Sequence, residues 1–217
     1  MTGLVSEFPL TRGGSLTQFQ PIAGQPIAII GSAPVPRPVV KNVGDFFLGY
    51  SHMLRDRVAR VLPHWNRDVP GYGFVKGMYA FGLEEAGDYA QAEAHGREAV
   101  ALNRQDGWAV HAVTHVMEMQ GRANAGADCL AAGADAWAPN SLFAFHLWWH
   151  KALFHLDAND GASALKLFDE KISAAGFGQA LELLDGSALL WRLSLLGLDV
   201  GDRWNGRVQG VSQEHPV

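Results

Sequence analysis

The chain has 217 residues, 48% of them hydrophobic and 18% charged, with a formal net charge of -5. That length and apolar content suit one ordinary domain or a segment of a repeat array. The absence of any basic block argues against nucleic acid as a partner.

A single cysteine, Cys129, excludes an intramolecular disulfide framework and fits a reducing compartment. Its Ala/Gly-rich surroundings point to a small packing residue. No basic-then-apolar leader opens the chain, and no apolar run reaches the roughly 18 residues of a membrane span. The expected setting is cytoplasmic, away from membranes.

Residues 1–40 alternate Pro, Gly, Ser and Gln with short apolar pieces, as in QPIAIIGSAPVPRPVV, and hold no helical period. They read as a disordered or extended arm. A helical repeat domain is expected over 41–204 and a frayed tail over 205–217.

The first helices in this domain are a short one to about Leu48 and another from about Ser51 to Leu62. The second places Leu54, Val58, Val61 and Leu62 on one face and is ended by Pro63. Next comes the clearest unit, GFVKGMYAFGLEEAGDYAQAEAHGREAVALNRQD. It has 34 residues, the period of a tetratricopeptide repeat.

Within that unit the spacing predicts helices from about Tyr72 to Ala86 and Tyr89 to Leu102, with a turn at Gly87-Asp88. Ala80, Ala92 and Ala99 fall where closely crossing helices need small side chains. A third unit runs from Trp108 to about Ala136, turning at Gly121-Arg122. A fourth runs from Ser141 to about Ile172, turning near Asn159-Asp160. LELLDGSALLWRLSLLGL supplies a last helix. One such unit cannot bury its own apolar face, so stacked neighbours are required. The expected fold is all-α, a tetratricopeptide-type helical-hairpin solenoid.

Two helices carry side chains with chemistry. Along Trp108 to Gln120, the residues Ala109, Val110, Ala112, Val113, Val116 and Met117 cover one side. His111, Thr114, His115 and Glu118 form a stripe on the other, with His111 and His115 four residues apart. This stripe reads as a solvated face, a ligand or peptide groove, or a metal site that lacks a third and fourth ligand on this helix.

The helix of Ser141 to Asp157 is apolar nearly all round, which marks a buried helix. On it, His146, His150 and Asp157 share a narrow stripe. The two imidazoles read as core histidines bonded to neighbours, or as lining one pocket with His111 and His115. Ring nitrogens of the two pairs within about 5 Å would mark a shared site, given zinc–nitrogen bonds of about 2.0–2.1 Å. No serine-hydrolase elbow, phosphate loop, dinucleotide fingerprint or paired-cysteine motif is present.

VLPHW, PGYGFVKGMYAFGLEEAGDYAQAE, WAVHAVTHVMEMQGR, NSLFAFHLWWHKALFHLD and ALLWRLSLLGLDVGDRW, taken in order, resemble the tetratricopeptide repeat protein 38 family over about 45–204. The resemblance implies a helical repeat protein without an established catalytic activity. Members of that family are usually longer, with further helices on both sides, which makes this chain look like a fragment or a product with altered ends.

Tetratricopeptide proteins line a concave groove with the first helix of each unit. Carried over, this places His111, His115 and Glu118 on the groove together with Glu84 of the preceding unit. The resulting expectation is a scaffold that binds a protein or peptide partner through His111, His115, Glu118, His146, His150 and Glu84. No catalytic residue, metal ligand or cofactor is assigned, and the oligomeric state is left open. The alternatives are a helical enzyme or metal-binding protein using a His/Glu cluster between adjacent repeats, and an inactive fragment of a longer repeat protein.

Overall fold

The computed structural model describes residues 46, 48–139, 141, 143–173 and 180–204. The expected arm and tail lie outside these residues, as does most of the short helix expected to end near Leu48. Every regular element among the described residues is helical. None of the helices is long and apolar enough to cross a membrane.

The helices are α1 (Ser51–Val61), α2 (Tyr72–Glu85), α3 (Tyr89–Leu102), α4 (Gly107–Met119) and α5 (Ala123–Trp137), followed by α6 (Ala144–Asp157), α7 (Gly161–Leu167) and α8 (Ala180–Leu195). After α1, Pro63 is accommodated in a 3-10 turn, Leu62–His64. α7 runs on into a wide π turn, Phe168–Ile172.

Consecutive helices pair as hairpins, α2 with α3, α4 with α5 and α6 with α7, and α1 packs against α2. Each hairpin leans on the next through its first helix: α2 touches α4, α4 touches α6, and α6 touches α8. Small residues allow this approach. Ala80, Ala92, Ala99, Ala109 and Ala112 are fully buried. A side chain at Gly96 of α3 would press its Cβ to 2.6 Å from Val113 of α4, so only glycine lets these helices close.

Four first helices end in the same way. Gly87 donates its N–H to the Glu84 carbonyl at 2.8 Å and Asp88 donates to Leu83 at 2.8 Å. The pattern recurs as Gly121 to Glu118 and Arg122 to Met117, as Asn159 to Leu156 and Asp160 to His155, and as Gly197 to Ser194 and Leu198 to Leu193. In each case the second residue after the helix is left-handed, with φ of 84°, 66°, 59° and 79° for Gly87, Gly121, Asn159 and Gly197. This is the paired-bond cap that satisfies the last carbonyls of a helix.

Asparagine stands in for glycine at one of the four because its side chain tolerates that conformation best. The recurrence sets α8 in the same role as α2, α4 and α6. The starts of α4 and α7 are fixed by Asp106, which accepts the N–H groups of Trp108 and Ala109, and by Asp160, which accepts that of Ser163.

Two apolar clusters hold the second half together. One joins Val110, Val113, Met117, Leu130, Trp137, Leu147 and Phe154 between α4, α5 and α6. The other joins Ala152, Phe168, Leu189, Leu190 and Leu193 toward the last helix. Together they clamp α6 from both sides, and α6 carries half of the histidine cluster.

Candidate metal centre

The i,i+4 spacing turns His111 and His115 of α4 to one side of that helix, and the same spacing turns His146 and His150 of α6 back toward them. The four rings meet. His111 Nε2 stands 3.2 Å from His150 Nε2 and 3.1 Å from His146 Nε2. His150 Nε2 stands 3.1 Å from His146 Nε2 and 3.2 Å from His115 Nε2. All four residues offer a ring nitrogen within 4.8 Å of the others.

Four nitrogens around a tetrahedral ion with bonds of about 2.0–2.1 Å lie about 3.3 Å apart. The spacing of the cluster is that of a ligand set. It also lies well inside the separation that marks a shared site between the two pairs.

The opposite ring nitrogens settle the tautomers. His150 Nδ1 donates to Glu118 at 2.7 Å, His146 Nδ1 to Asp185 at 2.6 Å, and His115 Nδ1 faces Glu84 at 3.2 Å. A carboxylate only accepts, so the proton of each neutral ring sits on Nδ1 and Nε2 is left as a bare lone pair. With all three rings neutral, their lone pairs point at one another and at the ring of His111. Without a cation between them they repel; with one, all become ligands. Carboxylates on the far nitrogen are the usual support of metal-bound histidine, fixing ring orientation and raising basicity.

Burial argues in the same direction. His111 and His150 are only 4% and 3% exposed. Burial, with the neighbouring imidazoles, holds the His111 pKa well below the ordinary histidine value. Burial likewise lowers that of His150 to about 4, despite its bond to Glu118. Both rings are therefore neutral, the state a metal requires.

His115 differs. Burial acts to lower its pKa, but the hydrogen bond to Glu84 and the charges of Glu84, Glu118 and Glu85 outweigh this and raise it. Burial likewise works against the Glu118 carboxylate, and the bond from His150 overcomes it, holding that pKa below the ordinary value.

Aromatic rings wall the centre. His111 lies 5.6 Å from Phe81 and 5.1 Å from Phe143, centroid to centroid. Trp149 stacks on His146 at 5.4 Å with the planes 14° apart. His111 Nδ1 is buried with no hydrogen-bond partner among the described residues.

All six residues singled out from sequence, Glu84, His111, His115, Glu118, His146 and His150, fall in this one cluster. Asp157, which shares the α6 stripe, is exposed and is not among the convergent donors, though burial and the nearby Glu118 charge raise its pKa. Thr114 is folded onto its own helix, its hydroxyl donating to the Val110 carbonyl at 2.9 Å. The α4 stripe is thus not a solvated face.

Sequence reasoning missed Asp185 of α8. Its signal was a carboxylate in the middle of the apolar run LELLDGSALLW, and it is 6% exposed. No family model matches the chain, and no solved structure matches it.

Proposed function

We propose that this chain is a tetratricopeptide-type stack, related to the tetratricopeptide repeat protein 38 family, whose first helices hold a divalent transition-metal ion through His111, His115, His146 and His150. One observation carries the reading: four Nε2 atoms converge while three of the opposite nitrogens face carboxylates. Imidazole donors suit zinc, copper, nickel and iron, and disfavour calcium and magnesium. A full set of four protein ligands is the pattern of a site that shapes the fold rather than one that leaves a position open for substrate.

The donors come from two helices and the supporting carboxylates from α2, α4 and α8. A bound ion therefore ties together four successive first helices. This favours metal binding over peptide capture by the same histidines, because their Nε2 atoms face one another and two of the rings are almost fully buried.

A second reading, a protein partner held by the stack, draws support from a different surface. Leu184, Trp191 and Leu195 of α8 are exposed, and their spacing puts them along one side of that helix. If this reading holds instead of the first, partner capture survives His150→Ala and is lost with Trp191→Glu.

The test of the metal reading is elemental analysis of the full chain purified without chelators, before and after incubation with zinc, cobalt or copper. At least one ion per chain is expected, and His150→Ala, checked for helicity by circular dichroism, loses it. Protein that is free of metal and cannot be loaded with any of these ions overturns the reading.

A further inference from the structure

The far side of His115 differs from the far sides of its neighbours. Where His146 and His150 each meet a single carboxylate at 2.6 and 2.7 Å, His115 Nδ1 stands 3.2 Å from Glu84. The shorter pairs have the length of charge-assisted hydrogen bonds. The longer one equals the separation between nitrogens inside the four-histidine set.

A second carboxylate also reaches this place. Glu84, Glu85 and His115 each offer a donor atom within 4.8 Å of the others. Glu84 is 6% exposed and Glu85 half-buried. Two adjacent carboxylates drawn out of water are costly unless a cation compensates them. Among the described residues, no lysine or arginine pairs with either, and His115 is their one partner of potential positive charge.

We propose that Glu84, Glu85 and His115 Nδ1 hold a second divalent first-row ion, zinc or copper, so that the His115 ring bridges two metals. The inference rests on the metal reading of the four-histidine centre. When the second ion binds, the proton on His115 Nδ1 leaves to solvent, the ring becomes an imidazolate, and each of its nitrogens donates to one metal.

The two ions then stand on opposite sides of one ring, farther apart than the about 3.5–4 Å of hydrolytic metal pairs. The second position has only three protein donors and one half-buried wall, so water completes it. Unlike the closed first centre, it has room for an exogenous ligand.

Copper titration of the full chain, followed by electron paramagnetic resonance and elemental analysis after desalting, tests this. Two equivalents are expected in the unaltered protein. The resonance intensity per copper is expected to fall as the second equivalent binds, because an imidazolate couples the two spins. Glu85→Gln is expected to retain one equivalent with undiminished intensity.

One equivalent in both proteins overturns the second site and leaves the first standing. Two equivalents in both, or two uncoupled spins in the unaltered protein, overturn the bridge. No retained copper in either overturns the four-histidine centre as well. Because the spin signal is read on the unaltered chain, the test does not depend on the variant folding.

Discussion

Three of the four histidines are set by a carboxylate on the far nitrogen. Asp185 is the most informative of these groups, because it reaches His146 from α8, a helix that supplies no imidazole. Its 2.6 Å bond to His146 Nδ1 holds the ring with Nε2 bare and aimed inward. Removing it in Asp185→Ala leaves a buried N–H without a partner and frees the ring to turn.

Loss of such a supporting group typically weakens metal affinity about 10–100-fold. That loss is expected here, with the ligand count unchanged, in a zinc titration against a competing chelator. Asp185→Asn, whose carbonyl can still accept the proton, is expected to fall between the two. Unchanged affinity in Asp185→Ala would show that His146 is oriented by packing alone.

The HxxxH pairs and Glu118 were legible from the sequence because i,i+4 geometry is local. That His111 and His146 touch was not, because they lie 35 residues apart and meet only through the stacking of two hairpins. Asp185 was hidden for the same reason.

Among the elements, the hairpins were the most legible part of the chain. Pro63, Gly87 and Gly121 punctuate the pattern through rigid local chemistry, so the helix ends fell close to where they were expected. The asparagine cap at Asn159 was legible as a turn, though its equivalence to Gly87 and Gly121 emerges only from its φ of 59° and the matching hydrogen bonds.

How closely the helices approach was only partly legible. Gly82 of α2 looks unremarkable in sequence, yet a Cβ there would sit 2.7 Å from the Cα of Arg55 in α1. Backbone cannot give way as a side-chain tip can. Gly82→Ala should therefore push α1 from α2 and destabilise the fold by about 1–3 kcal/mol, read as a lower midpoint in urea. Since α1 contributes nothing to the histidine cluster, metal stoichiometry is expected to survive. A midpoint equal to that of the unaltered protein would mean that α1 is not tightly seated.

At the scale of the whole molecule, stacking and chemistry are one property. Glu84 comes from α2, His111, His115 and Glu118 from α4, His146 and His150 from α6, and Asp185 from α8, so the centre exists only while the first helices remain in register. Apolar burial seats α6 between two clusters, but the converging lone pairs oppose the same arrangement. An ion would turn that repulsion into a cross-link between helical hairpins, and its binding energy would be folding energy.

The most direct measurement is X-ray absorption at the zinc edge of the full chain loaded with one equivalent. Four nitrogen neighbours at about 2.0–2.1 Å, with the outer-ring scattering of imidazole, are the expected result. A shell dominated by oxygen, or one with fewer than three imidazoles, would contradict a centre built from His111, His115, His146 and His150.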